Sequence, residues 1–269
     1  MLKQSYLRYP GNKYNLLPYI RKYLAPGKRL IEPFVGSGSI FLNTDYDEYI
    51  CSDINVNIIH THQIVADTPL FEYYFRGFFE EDTLNPEFYY KVREYYNQCY
   101  NSLEKAICFI YLNRYGFNGL VRYNSSGGYN VPFGHQKRVP SPPIQQVREF
   151  RQKCGNALYK FVQSDFRDVL ENAKVGDVIY ADPPYLPLSV TSNFTQYSGN
   201  IFTEDDHKDL ANIAYELSQN GIPVLISSSA SNKAFEIYKE YSWSEQVDYR
   251  HNIKLYGKNE VTECLFLYE

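Results

Sequence analysis

At 269 residues the chain is long enough for one large hydrophobic core, or for a main domain carrying a smaller insertion. Its composition, 44% hydrophobic and 22% charged, is that of a globular protein and excludes extended disorder; no apolar run approaches the roughly 18 residues of a membrane span. A net charge of −4 argues against a uniformly basic nucleic-acid binder.

The first expected strand is RLIEPF, residues 29–34. It runs into Gly36-Ser37-Gly38, a glycine turn that opens a short helix. A strand ending in Gly-x-Gly lets backbone approach a ligand closely. An ordinary tight turn reads the same way, and the third glycine of the dinucleotide fingerprint is missing. The second strand, 48–54, carries Asp53, 17 residues beyond Gly36. An acid about 20 residues past such a turn is placed to accept from ribose hydroxyls. A helical pattern follows, so Asp53 also reads as a helix N-cap.

The middle of the chain, 57–144, has a different texture. It reads as helical at 87–113, turns Gly/Asn-rich at 115–134 and Pro-rich at 139–143. Within it Asn124-Ser125-Ser126-Gly127-Gly128 is a turn between 120–123 and 129–133, a two-stranded ribbon of the kind that fits a DNA major groove. Residues 91–153 hold ten Lys/Arg and three acids, a local charge of +7 that leaves −11 elsewhere. Such a face, including Arg114, Arg122, Lys137 and Arg138, suits a phosphate backbone, though a solvated surface would look alike. Many of the 28 tyrosines lie in 73–129, where packing explains most and base stacking some.

Strands resume at 158–163 and 177–182. A helix at 204–219 precedes further strands at 222–229, near 245–255 and at 261–268. Alternating strands and helices indicate a parallel, doubly wound α/β sheet. The strand at 177–182 ends in Asp182-Pro183-Pro184-Tyr185. Two consecutive prolines fix the backbone and remove two amide donors while leaving carbonyl acceptors. An exocyclic amine is a poor nucleophile because its lone pair is delocalised into the ring. A carboxylate and a carbonyl that each accept one N–H bias that nitrogen toward a tetrahedral geometry, by electrostatic positioning more than by proton abstraction. Tyr185 offers a face on which a flipped base can stack. The five cysteines form no CxxC pair and read as buried hydrophobes, and the five histidines form no ligand set, so no metal is expected. The opening MLKQSYLRYPGNKYNLL has no signal-peptide core, so a soluble, cytoplasmic protein is expected.

Asp182-Pro183-Pro184-Tyr185 together with Phe34-Val35-Gly36-Ser37-Gly38 resembles the signature of the Dam-type (alpha-group, D12 class) DNA adenine-N6 methyltransferases. Arg8-Tyr9-Pro10-Gly11-Asn12-Lys13 is similar to their N-terminal cofactor motif, whose usual form has Trp at Tyr9 and glycine or a small residue at Pro10 and Asn12. The stretch from Asn113 to Asn124, followed by Gly128 to Gly134, resembles their recognition hairpin, and Ser164-Asp165-Phe166 the motif that frames the adenine of the cofactor. The resemblance implies a Rossmann-like methyltransferase domain from 1–56 and 145–269, with an inserted, mainly helical DNA-recognition domain at 57–144 that carries the β-hairpin. It implies S-adenosylmethionine as cofactor, contacted by Tyr9, Lys13, Phe34, Gly36, Ser37, Gly38, Asp53, Asp165, Phe166 and Asp182. Asp182, Pro183, Pro184 and Tyr185 would act on the flipped adenine.

It also implies double-stranded DNA as partner, methylated at GATC, with no obligate protein partner. Readout would fall to Arg8, Arg114, Asn118, Leu120, Arg122, Asn130, Pro132, Lys137 and Arg138. Arg122 would supply a donor fork for guanine, Leu120 an apolar wedge, Asn118 a base-edge contact and Pro132 a surface for a thymine methyl. Three rivals stand beside this reading. They are a cytosine-N4 methyltransferase, a catalytically silent DNA-binding relative, and a dehydrogenase, which the incomplete glycine fingerprint disfavours.

Overall fold

The computed structural model describes residues 2–186, 202–250 and 260–269. Seven strands form one sheet: β1 (Arg29–Glu32), β2 (Glu48–Asp53), β3 (Leu158–Gln163), β4 (Asp177–Ala181), β5 (Val224–Ser229), β6 (Trp243–Arg250) and β7 (Glu260–Tyr268). Their order is β3-β2-β1-β4-β5-β7-β6. β1 to β5 pair in parallel, while β7 runs antiparallel to both β5 and β6. The all-parallel sheet expected from the alternation of elements is therefore a mixed one, with five parallel strands and an antiparallel β7 inserted between β5 and β6. Residues 251–255 of the strand expected near 245–255 lie outside the described residues.

Nine helices among the described residues cover or extend the sheet: α1 (Leu17–Tyr23), α2 (Ser39–Asn43), α3 (Val56–Asp67), α4 (Pro86–Gln98), α5 (Ser102–Tyr115), α6 (Ile144–Asn156), α7 (Phe166–Leu170), α8 (Glu204–Gln219) and α9 (Asn232–Ile237). The central strand β4 is buried along its whole length, as expected of a run of apolar residues covered on both faces. α8 starts at a capping box in which the Thr203 hydroxyl and the Asp206 carboxylate each satisfy the other's backbone N–H. The single helical stretch read at 87–113 is two helices, since the Asn101 side chain accepts from the N–H groups of Leu103 and Glu104 and restarts the chain as α5. α5 is buried on nearly every side, from Ala106 to Asn113 and at Tyr115, so it is the core rod of the region between β2 and β3. α3 packs on β2 and β3 as well as on α5.

The sheet reverses direction of winding between β1 and β4, with β2 and β3 on one side and β5 on the other. Such a switch point opens a crevice beyond the carboxyl ends of the central strands, where ligands bind in open α/β sheets. Every motif named from the sequence outside the hairpin ends up along this edge or reaches it.

Candidate active site

The glycine turn leaves β1 at the crevice. Gly36 and Gly38 both adopt left-handed backbone conformations, with φ of 48° and 73°. Gly36 is clamped on both sides of its peptide groups. Its N–H donates to Asp53 Oδ2 at 3.0 Å, and its carbonyl lies 2.9 Å from His62 Nε2. A side chain at Gly36 would begin 3.3 Å from the ring of Tyr9, which packs over the turn. Ser37 is tied through its carbonyl to the Ser5 hydroxyl at 2.6 Å, and its own hydroxyl lies 3.0 Å from that of Ser39.

Asp53 ends β2 with its carboxylate almost fully buried. Oδ1 accepts from the Asn55 N–H at 2.9 Å, and Asn55, not Asp53, is the N-cap of α3. Burial pushes the Asp53 carboxyl up to about 6, against the pull of the Asn55 and Gly36 amides. Each oxygen accepts one backbone N–H and keeps a second lone pair, so the group can still receive a pair of hydroxyl donors. At the ends of β1 and β3, Phe34 and Phe166 stand 5.6 Å apart by ring centroid, and Phe202 closes the cluster at 5.5 and 5.6 Å. Asp165 caps α7 by accepting from the Arg167 N–H, and Arg167 also bridges to Asp206 and Asp209. A left-handed glycine turn, a buried carboxylate with spare acceptor positions and the half-buried rings of Phe34 and Phe202 over the buried Phe166 fit a nucleoside with ribose hydroxyls.

Asp182 follows β4 directly. Its Oδ2 lies 2.8 Å from Lys13 Nζ, and its Oδ1 accepts from the Ser227 hydroxyl at 2.8 Å. Burial pushes this carboxyl up to about 6, while the Lys13 ammonium pulls it down and Glu263 pushes it further up. Lys13 is itself buried, donates to the Gly11 carbonyl at 2.7 Å, stands 3.8 Å from Glu263, and lies over the Tyr185 ring at 4.9 Å from its centroid. Pro183 is buried, Pro184 exposed and Tyr185 half-buried. The departure at Asn12 is accommodated locally: Asn12 caps the 3-10 turn Lys13–Asn15 and accepts from the Ser39 hydroxyl.

The hairpin between 120 and 133 folds as read, but it is held by isolated bridges and not by a continuous ladder. Tyr123 pairs with Tyr129, Gly116 pairs with Phe133, and the Asn130 N–H donates to the Arg122 carbonyl at 3.1 Å. Arg122 is exposed; its Nε and Nη2 donate to the side chain and carbonyl of Asn130 at 2.8 and 3.1 Å. Asn118, Pro132, Lys137 and Arg138 are exposed, and Leu120 is half-buried. Arg8 is bolted to the end of α5, where the Asn113 side chain receives its N–H and donates to its carbonyl at 2.8 and 2.7 Å. Arg114 does not join this exposed face. It turns inward and donates twice to the Tyr6 carbonyl, at 3.2 and 2.6 Å.

The family model for D12 class N6 adenine-specific DNA methyltransferases matches residues 9–252. This chain belongs to that family. It is 41% identical over 269 residues to the DNA adenine methylase of Salmonella typhi, covering 99% of this chain and 95% of the relative. The protein of the same name from Serratia marcescens is also 41% identical, with 98% of each chain covered. That of Escherichia coli (strain K12) is 40% identical over 99% of this chain and 95% of its own. The chain is thus an adenine-specific DNA methyltransferase, and the cytosine, silent-relative and dehydrogenase readings fall away.

Three further residues shape this methyltransferase's site: His62 and Glu263 belong to no motif, and Asn113 stands at the head of the hairpin stretch. His62 is fully buried, takes Tyr6 OH at 2.7 Å on Nδ1, and packs against both Phe150 and Phe161, which also stack on each other. Burial lowers its imidazole to about 4, so it is neutral at physiological pH. Glu263, on β7, lies beneath Lys13, and Asn113 carries Arg8. Their partners are far away in the chain, so spacing alone gives no sign of them. Among the described residues no helix is long and apolar enough to cross a membrane, and all five cysteines are buried.

Proposed function

We propose that the enzyme uses S-adenosylmethionine to methylate adenine N6 within duplex GATC, with the target base turned out of the helix. One observation carries this reading: a half-buried carboxylate, Asp182, follows β4 at the switch-point crevice, held between Lys13 and Ser227, at the start of the Pro-Pro-Tyr loop.

Asp53 would accept from the ribose hydroxyls, Gly36 to Gly38 would admit the cofactor close to backbone, and Phe34, Asp165 and Phe166 would frame its adenine. When bound, the cofactor supplies an electrophilic methyl group. Asp182 accepts one N–H of the target amine and a proline carbonyl the other, which aims the nitrogen lone pair. Tyr185 stacks on the extruded base and partly offsets the few kcal/mol that extrusion costs. The segment 57–144 supplies recognition of DNA, with Arg8, Asn118, Leu120, Arg122, Asn130, Pro132, Lys137 and Arg138 on its exposed side and α3 shared with the sheet. Arg114 supports that side from within by fixing the Tyr6 carbonyl.

Transfer of tritiated methyl groups from S-adenosylmethionine to a duplex carrying GATC, compared with each single-base variant, tests the reading. Label on adenine of GATC alone is expected. Label on every sequence alike, or none with this donor, would overturn it.

A further inference from the structure

Both oxygens of Asp182 are engaged, but from supports of different stiffness. Oδ2 meets Lys13, a long side chain from the N-terminal segment. Oδ1 meets Ser227, which sits on β5 next to β4; the register pairs Tyr180 with Leu225 and Ala181 with Ile226, so the next step along both strands brings Asp182 and Ser227 together. Ser227 is fully buried, and its hydroxyl lies 2.9 Å from that of Tyr180, also buried.

The direction of this chain follows from counting protons. An ionised carboxylate only accepts, and a serine hydroxyl has one proton to give. Ser227 therefore donates to Asp182 and accepts from Tyr180. Burial and the Asp182 charge hold the Tyr180 phenol well above its usual range, so it remains a donor. Two central strands thus fix one carboxylate oxygen through two hydroxyls in series, and such networks strengthen each bond in them.

We propose that Ser227, oriented by Tyr180, is a positioning residue for methyl transfer. It sets the rotation of the Asp182 carboxylate, keeping Oδ1 against the sheet and presenting Oδ2 to the substrate amine. Oδ2 has a second lone pair beside the one Lys13 uses, so an amine N–H can be accepted there without breaking the ion pair. The proposal rests on the reading of Asp182 as the acceptor for the amine.

The test is single-turnover methyl transfer by the full chain, with tritiated S-adenosylmethionine and a GATC duplex as probes. Ser227→Ala, Tyr180→Phe, their combination and Asp182→Ala are compared across pH. Ser227→Ala should slow the step by about 10- to 100-fold, the range expected for one hydrogen bond to a charged group. Affinities for S-adenosylmethionine and DNA should hold. The acid limb of the rate profile should move to higher pH, because the lost donor favoured the ionised carboxylate; a merely structural defect would not move it. Tyr180→Phe should move rate and limb the same way by less, and should add nothing in the Ser227→Ala background. A wild-type rate with an unmoved limb in Ser227→Ala overturns the proposal, as does lost affinity with an unchanged rate. If Ser227→Ala does not fold, Tyr180→Phe decides by the same criteria. An active Asp182→Ala would sink the reading beneath; an inactive one beside a wild-type Ser227→Ala sinks only this proposal.

Discussion

Lys13 Nζ lies 2.8 Å from Asp182 Oδ2, joining the N-terminal motif to the Pro-Pro-Tyr loop in one ion pair whose lysine is buried. The pair has an electrostatic consequence. Lys13 is the largest influence opposing the burial that raises the Asp182 carboxyl to about 6. An opposite charge at this range typically lowers a carboxyl by about one to three units. Lys13→Met should therefore move the acid limb of single-turnover methyl transfer upward by about that amount. A limb that stays in place would mean that Asp182 is not the titrating group, or that Lys13 does not act on it.

In the wild type, methyl transfer should fall as pH drops through about 6, since protonation removes the charge with which Asp182 accepts the amine N–H. Asp182→Ala should abolish transfer at every pH while leaving DNA binding by gel shift largely intact, because the carboxylate does not meet phosphate. Wild-type turnover in that variant would remove Asp182 from the chemistry.

The motifs legible in the sequence were those whose function demands residues close together in the chain. Gly36 and Gly38 need left-handed backbone, and Asp182 to Tyr185 need a rigid loop, so both announced themselves. The order of elements also carried the sheet, except that β7 runs antiparallel. What stayed hidden depends on contacts between distant elements. Nothing near His62 says that its imidazole meets the Gly36 carbonyl, and nothing near Arg114 says that its guanidinium faces inward to Tyr6. Ser227 was closer to legible: it ends an apolar strand run much as Asp182 does, one strand over.

Asp53 gives a second pH signature, with a different readout. Its carboxyl is raised to about 6 by burial, so folding leaves it protonated more readily than the unfolded chain would. Ribose hydroxyls donate only to its benefit when it is ionised. Binding of S-adenosylmethionine should tighten as pH rises through about 6, and Asp53→Ala should remove that dependence. The same variant should weaken binding by about 1.5–3 kcal/mol, the range for a hydrogen bond to a charged group. Titration calorimetry at several pH values measures both; pH-independent wild-type binding would exclude the ribose contact.

Gly119 is where the hairpin region meets the N-terminal motif. Its φ is 65°, and a Cβ there would lie 2.5 Å from the Arg8 Cβ. Its carbonyl also accepts from the Asn113 side chain that holds Arg8. Gly119→Ala forces both a left-handed alanine and a clash with Arg8, and should cost about 1–3 kcal/mol in urea unfolding. DNA affinity should fall with it, because Arg8 is displaced from its seat. A variant with wild-type stability would show that the contact relaxes freely.

Sequence recognition is tested most sharply at Arg122. Its Nε and one Nη2 proton are used within the hairpin, where Asn130 receives them. That arrangement fixes the plane of the guanidinium and turns its outer edge, Nη1 with the remaining Nη2 proton, away from the hairpin. A held fork loses less freedom on meeting guanine O6 and N7 than a loose one. Arg122→Ala should thus relax specificity at one guanine of GATC and cost about 1–3 kcal/mol for that sequence. Asn130→Ala should reproduce part of the loss, since it frees the fork without removing it. A phosphate-contacting arginine behaves otherwise: its loss weakens all sequences alike and lowers the salt slope by about one. Methylation of GATC and of each single-base variant, by wild type, Arg122→Ala and Asn130→Ala at two salt concentrations, separates the two. Uniform loss across every variant would make Arg122 a residue that positions DNA, and would withdraw the structural support for GATC.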